Sequence, residues 1–510
     1  MGNVKQFYSG KNIFITGATG FVGVCLLEKI LRTIPDHGDI YLLMRPKFGK
    51  EISERLEELQ KNSVFITLLK EQPAAKLFEK VKPIAGDVGQ ENLGLSDMDR
   101  NILVQNANII FHSAASLDFG DTFQTSININ LLGTRRVTEL AKQCSNLKAL
   151  IHVSSAYVNA FKLEVDEILY PLTKDPEELI DLISKLSPEE IESKTHEILG
   201  DHPNSYTITK HMAEHEIKKC ENLFPCVIVR PSMIVGAWKE PVSGWTVSKN
   251  GPQGFIMGAS KGVIRRLPVA KELVYDYIPV DIVVNNLLVA GCYVAITNSK
   301  RLEIYHCTSS TRNPFRWNAI EKSINCYLHK YPLISAVWYP NLKLVNCITY
   351  YKISAFFVHI LPAILLDTVA LVTGGRPILM KLHRNVNRSL KRLSKFIFTE
   401  WMFSAKKTET LQKFLKDDEQ DVYNLDISNL IWPVYFNDLT LGARIYLSKD
   451  SEKTLGTARR KDKILFVAHT ILKIGVVVLI WYLLSSLLGF RMLRSWPFLI
   501  PLGIAYLAVV

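Results

Sequence analysis

No two of the eight cysteines form a CxxC pair or a zinc-ribbon spacing; Cys25, Cys144, Cys220, Cys226, Cys292, Cys307, Cys326 and Cys347 are scattered along the chain. That scatter argues against a disulfide framework and fits a reduced compartment. Internal repeats and low-complexity tracts are also missing, which excludes solenoid and fibrous architectures. The opening MGNVKQFYSG has no apolar stretch suited to a secretory signal, and Gln6 stands where a myristoylation signal carries Ser or Thr. What the chain has in excess is positive charge. Its 510 residues carry a formal charge of +12, enough length for two or three domains and a sign that suits an anionic partner: a membrane, a nucleic acid or a phosphorylated ligand.

The last part of the chain has few charges. From Ile464 to Phe490 it reads ILFVAHTILKIGVVVLIWYLLSSLLGF, with Lys473 the only formal charge. At about 1.5 Å per residue this run can cross the ~30 Å hydrocarbon layer, and a membrane span over about 464–490 is expected. A second apolar segment, 496–510, is shorter and begins with Pro497 and Pro501, so it reads as a return or re-entrant piece. Arg459, Arg460, Lys461 and Lys463 before the span outnumber Arg491 and Arg494 after it, which places the bulk of the chain in the cytosol.

Short apolar runs alternate with helical patterns over the first half, without hairpin turns. Strands are expected at 11–17, 39–44, 109–114, 149–154 and 225–230, with helices at 21–32 and 130–144. This is the pattern of an α/β protein with a doubly wound, Rossmann-type parallel sheet. The expected division is a nucleotide-binding domain over 1–290, with an acidic helical insert at 164–203, then a smaller, mostly helical domain over 291–455 and a hydrophobic tail over 456–510. Within the second part, Tyr351–Val372 is apolar but holds His359, Pro362 and Asp367. The following segment interleaves Arg376, Lys381, Arg384, Arg388, Lys391, Arg392 and Lys395 with apolar residues, as suits a surface on anionic headgroups or a solvated helix.

The stretch NIFITGATGFVG sets Gly17, Gly20 and Gly23 behind the first strand and at the start of a helix. Backbone N–H groups and the helix dipole there can hold a pyrophosphate, with Gly17 for the tight turn and Gly20 for close approach of phosphate. Arg45, with Lys47 nearby, ends the second strand where an acidic residue would bond the adenosine ribose. A cation there favours the 2′-phosphate of NADP, so NADPH is the expected cofactor. Asp87 is placed to reach the adenine amine. The candidate cofactor contacts are Gly17, Thr19, Gly20, Phe21, Val22, Gly23, Arg45, Asp87, Ala114 and Lys210.

Tyr206 and Lys210, in NSYTITK, lie four apart and share a helix face. An ammonium beside a phenol is expected to lower the phenol pKa and ready it for proton exchange. Ser154 or Ser155, at the end of the strand in IHVSSAYVN, would hold the substrate oxygen.

TGATGFVG, HSAAS (112–116), HVSSAYVN and YTITK together resemble an extended short-chain dehydrogenase/reductase. The resemblance implies Tyr206 as proton donor, Lys210 as its electrostatic partner and ribose ligand, and Ser155 as the carbonyl-orienting hydroxyl, with Ser154 the alternative. RPSMIVGAWKEPVSGW (230–245), NGPQG (250–254), YIPVDIVVN (277–285), GGRP (374–377) and DISNLIWPVYFNDLTLGARIYL (426–447) are similar to the alcohol-forming fatty acyl-CoA reductases over nearly the whole chain. That family implies reduction of a long-chain acyl-CoA by NADPH to the aldehyde and then the primary alcohol. It implies a lipid membrane as partner, no nucleic acid and no metal. Thr246, Val247, Ser248 and Lys249 depart from an acidic residue and an asparagine that the resemblance implies, and Ser243 from a proline.

The segment HMAEH, His211–His215, fits the HxxEH pattern of inverted zinc proteases, but it lies on the helix already assigned to Tyr206 and Lys210. His112 and His152, inside apolar strands, read as core or cofactor-lining residues. The Asn387-Arg-Ser389 sequon is expected to be unused on a cytosolic segment. Two other functions fit the same motifs: a membrane-bound hydroxysteroid dehydrogenase and a cofactor-binding scaffold without chemistry. The endoplasmic reticulum is the expected membrane, with the peroxisome as the alternative.

Overall fold

The computed structural model describes residues 3–46, 49–118 and 120–487. Lys47, Arg491, Arg494 and the apolar segment 496–510 therefore lie outside the described residues. The chain forms two units that interleave in sequence. The first takes residues up to Val247, Val274–Phe315 and Glu400–Ile431; the second takes Ser248–Leu273, Arg316–Thr399 and the chain from Trp432 onward.

The first unit is built on seven parallel strands: β1 (Ile13–Thr16), β2 (Ile40–Met44), β3 (Val81–Ala85), β4 (Ile109–His112), β5 (Ala149–Val153), β6 (Cys226–Pro231) and β7 (Glu303–Cys307). Their order across the sheet is β7-β6-β5-β4-β1-β2-β3. Strand order reverses beside β1, and ligands of such sheets bind in the crevice at the carboxyl ends there. The doubly wound parallel sheet expected from sequence is present. β3 and β7, which the apolar pattern did not single out, are its two edges.

Crossover helices α1 (Phe21–Thr33), α2 (Gly133–Gln143), α3 (Ser205–Lys218) and α4 (Val280–Ile296) cover the sheet. Phe14, Ile110, Leu150, Ile228 and Ile304 pack with Val137, Leu140 and Ile217 in one core layer. The acidic insert folds as short helices, Pro176–Lys185, Pro188–Ser193 and Thr195–Leu199. Its Leu179, Ile183, Ile191 and Ile198 pack with Ile208 and Met212 of α3. Those apolar contacts fix the helix that carries Tyr206.

In the second unit, strands Arg266–Pro268 and Lys343–Val345 pair in parallel. The apolar segment runs as helix from Ile348 to Ala355, widens into a π turn at Phe356–Ile360 and resumes at Leu361–Val372. The wider turn accommodates Pro362, which has no N–H to give. The basic segment is helix α5 (Leu379–Ile397), with His383, Leu390 and Ile397 buried. Lys381, Arg384, Arg388, Lys391, Arg392 and Lys395 are all exposed. The Asp367 carboxylate accepts the backbone N–H groups of Ile378, Leu379 and Met380 at 3.1, 3.0 and 2.9 Å and so caps α5. Helix α6 (Leu455–Leu487) contains the described part of the expected span. Ile348–Val372 and Glu452–Leu487 are each long and apolar enough to cross a membrane, with mean hydropathies of 2.2 and 2.3.

Candidate active site

The turn after β1 is shaped by its glycines. Gly17 has φ +73°, and a Cβ there would stand 2.7 Å from the backbone nitrogen of Ala114, so no larger residue fits. A side chain on Gly23 would overlap the Gly17 carbonyl, which lets α1 start directly against the turn. At Gly20 a Cβ would meet only the Gly17 oxygen, at 3.2 Å; the space over the turn is otherwise open. Gly20 caps α1 without a side-chain hydrogen bond, so the first N–H groups of the helix face that space. Thr19 and Gly20 are exposed, and Phe21 and Val22 partly so. The cradle has the shape and donors that a dinucleotide pyrophosphate needs. Phe21 stacks on Trp245, ring centroids 5.7 Å apart, and Trp245 Nε1 donates to Ser63 Oγ at 3.0 Å. The departing 243–249 segment thus begins against the glycine turn.

Arg45 and Asp87 come together at the ends of β2 and β3, with Arg45 Nη1 3.7 Å from Asp87 Oδ2. Asp87 Oδ1 accepts the Gly89 N–H at 2.8 Å, an Asx turn that fixes its direction. The Arg45 side chain is 58% exposed and free to reach a phosphate.

Ser154 and Ser155 follow β5 and face different partners. Ser154 Oγ donates to Glu214 Oε1 at 2.6 Å. Glu214 is itself held by Arg230, whose Nε and Nη2 donate to its two oxygens at 2.8 and 2.6 Å with both side chains fully buried. Ser155 instead hydrogen-bonds the Tyr206 phenol and accepts the Tyr157 N–H at 3.2 Å. Lys210, one turn along α3, donates from Nζ to the Val153 carbonyl at 2.7 Å and lies 3.4 Å from His152 Nε2. Of the sequence candidates, the structure brings Ser155, Tyr206 and Lys210 to one end of β5, and Gly17 against Ala114.

The electrostatics correct one expectation. Burial pushes the Tyr206 phenol up to about 12, with the Ser155 hydrogen bond acting in the opposite direction. Burial likewise pulls the Lys210 ammonium down to about 8. The predicted lowering of the phenol by Lys210 is therefore not what the fold produces: desolvation of the phenol, with the charge of Glu214 adding to it, sets the direction. Tyr206 holds its proton at neutral pH.

Under the site runs a buried polar row. His112 Nδ1 meets Thr16 Oγ1 at 2.8 Å, and its Nε2 meets Thr134 Oγ1 at 3.0 Å; burial drives its pKa down to about 3. His152 is also depressed by burial and by Lys210. Both imidazoles are neutral parts of the sheet. In HMAEH, His211 and His215 each turn Nε2 to the Tyr170 carbonyl, at 3.1 and 2.9 Å, while Glu214 serves Arg230. Among the described residues, no group of three or more His, Cys, Asp or Glu side chains is placed to hold a metal.

Sequence reasoning passed over three residues. Asn130, in the π turn Ile127–Leu132, accepts the Ser116 N–H at 2.9 Å and donates to Thr209 Oγ1 at 3.2 Å, tying the HSAAS loop to α3. Glu214 and Arg230 were quoted only inside motifs. A charged residue ending an apolar strand, as Arg230 does, was the available signal, because buried charge requires a partner.

A parallel sheet in this order, with a glycine turn after its first strand and a serine, tyrosine and lysine grouped beside it, defines a Rossmann-type oxidoreductase of the extended short-chain dehydrogenase/reductase class. Residues 15–287 match the NAD-binding family model described as "Male sterility protein", and residues 358–450 match a second model of the same description. The chain belongs to the fatty acyl-CoA reductase family. It is 32% identical to Fatty acyl-CoA reductase 1 of Homo sapiens over 513 residues, covering 100% of this chain and 98% of that protein. The Xenopus laevis protein of the same name is 34% identical, over 94% of this chain and 93% of its own. A Drosophila melanogaster relative, CG8306, named provisionally as a fatty acyl-CoA reductase, is 52% identical over 94% of this chain and 93% of its own. Among solved structures, the terminal R domain of the myxalamid biosynthetic pathway shares the fold, with a TM-score of 0.54 at 18% identity over 86% of this chain and 90% of that one. The reductase domain of a nonribosomal peptide synthetase from Mycobacterium tuberculosis does so with a TM-score of 0.54 at 19% identity, over 85% and 92%. The chain is an oxidoreductase that uses a nicotinamide cofactor.

Proposed function

We propose that this chain reduces long-chain fatty acyl-CoA to the primary alcohol through the aldehyde, with NADPH as reductant and release of CoA. The observation that carries the reading is the Ser155–Tyr206 hydrogen bond with Lys210 one turn away, at the carboxyl end of β5. The cofactor, when bound, supplies hydride to the carbonyl carbon of the thioester and again to that of the aldehyde. Backbone N–H groups from Gly17 to Gly23, with Thr19, Phe21 and Val22, would hold its pyrophosphate. Arg45 would take the 2′-phosphate and Asp87 the adenine amine, while Ala114 and Lys210 would line the nicotinamide half.

Ser155 and Tyr206 both offer O–H donors to the substrate oxygen as negative charge develops there. Tyr206, protonated at neutral pH, is the acid that delivers a proton to the alkoxide. Lys210, titrating at about 8, is largely protonated at neutral pH and stabilises the phenolate left behind. Loss of CoA thiolate from the first adduct frees the aldehyde for the second reduction. No acyl-cysteine is needed in this scheme.

Helix α6 is proposed to cross the membrane and α5 to rest its cations on anionic headgroups. The endoplasmic reticulum is the proposed membrane, with the catalytic unit in the cytosol, and the peroxisome is the alternative. The test is NADPH consumed against alcohol formed, in membranes given long-chain acyl-CoA. About two NADPH per alcohol are expected, with turnover falling about a hundred- to ten-thousand-fold in Tyr206→Phe. Accumulation of aldehyde with one NADPH each would refute the second step, and absence of turnover across chain lengths would refute the substrate.

A further inference from the structure

The helix Ile348–Val372 is long and apolar enough to cross a membrane, yet the chain on either side of it does not allow a crossing. Just before it, Lys343–Val345 pairs with Arg266–Pro268. Just after α5, Met402–Phe403 pairs with Glu164–Val165 of the first unit. Among the described residues, only this helix and the later Glu452–Leu487 are candidates for a span. Nothing before residue 348 therefore crosses, and residue 402 is back beside residue 164. A crossing by Ile348–Val372 would oblige α5 to cross back. It would carry the exposed Lys381, Arg384, Arg388, Lys391 and Lys395 through hydrocarbon, where charge is costly.

The two helices form a hairpin with unlike outer faces. The ionisable His359 and Asp367 turn inward. His359 Nε2 accepts the backbone N–H groups of Arg265 and Arg266 at 2.9 and 3.2 Å, and its ring stacks on His383 of α5 with centroids 5.0 Å apart. Asp367 caps α5, and the Tyr351 hydroxyl donates to Asn387 Oδ1 at 3.3 Å. Outward, Ile353, Phe357, Leu361, Leu365, Val369 and Val372 are 40% to 83% exposed, an apolar face that soluble surfaces rarely carry. Lys352 is the one exposed charge on the helix, and a lysine stem reaches the headgroups from an in-plane helix. On α5 the buried His383, Leu390 and Ile397 recur at helical spacing, with the five cations on the other side. The hairpin is thus apolar on one outer side and cationic on the other.

We infer that Ile348–Val372 lies in the plane of one leaflet of an anionic bilayer, sunk to the acyl boundary without crossing, with α5 above it. An in-plane helix buries its apolar face about 5–10 Å deep at the headgroup boundary, and packed helices lie about 8–10 Å apart, which brings α5 and its cations to headgroup height. Cations set over an apolar face suit anionic lipid; a second copy of the chain would cover the apolar face and leave the cations without a role. The inference rests on the reading of the chain as membrane-bound through α6, and adds a second contact one leaflet deep.

The test uses the full chain with the exposed Cys326 and Cys347 changed to Ser. One reporter cysteine is added at a time: Ile353→Cys, Leu361→Cys, Val369→Cys or, on α6, Leu479→Cys, all at exposed positions. Each is labelled with an environment-sensitive fluorophore and reconstituted in vesicles of phosphatidylcholine and phosphatidylserine in equal parts, with nitroxide phospholipids as shallow or deep quenchers. The three hairpin reporters should be quenched alike, and more by the shallow nitroxide, whereas Leu479→Cys should respond more to the deep one. A crossing would set Leu361 about 12 Å deeper than the other two hairpin reporters; deep quenching there alone would overturn the in-plane arrangement. Quenching on α6 with none on the hairpin would mean that protein covers the apolar face, and would overturn the lipid contact. No quenching at any position would overturn the membrane reading itself. Arg384→Gln, Arg388→Gln and Lys391→Gln together should weaken the hold of the hairpin about fivefold per cation, read as earlier loss of shallow quenching when salt is added, with Leu479→Cys unchanged. Equal quenching in parent and triple variant at every salt concentration would overturn the contact with anionic headgroups.

Discussion

Replacing Lys210 by Met should abolish the pH dependence of stability that this residue imposes. Lys210 is 2% exposed, and burial lowers its pKa from 10.5 to about 8, against a smaller opposing effect of Glu214. At about 1.4 kcal/mol per unit, holding it protonated in the fold costs about 3 kcal/mol. The unfolded chain binds the proton up to about pH 10.5 and the folded chain only up to about pH 8, so stability rises with pH between those values. Below about pH 8 the penalty is complete, and above about pH 10.5 it is gone. Lys210→Met has no such penalty, although it leaves the Val153 carbonyl without its donor at a cost of about 1–3 kcal/mol. The absolute difference at neutral pH is therefore a near balance, but its change with pH is not. Parent and variant are unfolded by denaturant in detergent at steps between about pH 7 and about pH 10.5. The parent should gain on the variant by up to about 1.4 kcal/mol per pH unit above about pH 8, other lysines cancelling in the comparison. Parallel curves would refute the argument that the ammonium is desolvated in the native site.

Two further outcomes follow from the same geometry. Ser155→Ala should lower turnover about tenfold or more with the melting temperature kept, whereas Ser154→Ala should cost about 1–3 kcal/mol of stability by leaving Glu214 short of a donor; steady-state rates and melts on both variants check the contrast, and a reversed pattern would exchange their roles. Arg45→Glu should shift the ratio of kcat/KM for NADPH over NADH by about tenfold or more toward NADH, measured with each cofactor in turn; an unchanged ratio would remove Arg45 from the selection of the 2′-phosphate.

Legibility followed coverage. β1, β2, β4, β5 and β6 are central or well-covered strands whose apolar runs announce them. β3 (VKPIA) leaves Lys82 and Ala85 exposed and Pro83 partly so, and β7 (EIYHC) mixes polar residues with apolar ones. Both are sheet edges, where one side lacks a neighbour and the continuous apolar signal breaks down. The glycine turn was readable because its constraint is local: a positive φ at Gly17 and two close approaches within seven residues. The Tyr206–Lys210 spacing was readable because four residues make one helical turn.

Choosing between Ser154 and Ser155 depended on Glu214, sixty positions away along the chain, and on Arg230 behind it. The HMAEH pattern lost its metal meaning only when Tyr170 and Arg230 claimed its side chains. The basic run of α5 was visible as composition, but exposure of all six of its cations was not.

The sequence by itself determined the sheet class, the dinucleotide turn, the pairing of tyrosine with lysine and the apolar run of α6, because each is written in period or spacing over a few turns of chain. Tertiary structure alone decided which serine faces the phenol, why Tyr206 keeps its proton, and that Glu214 meets Arg230 and Ser154. These outcomes depend on desolvation and on charges brought together from distant segments, and neither quantity exists until the chain has folded.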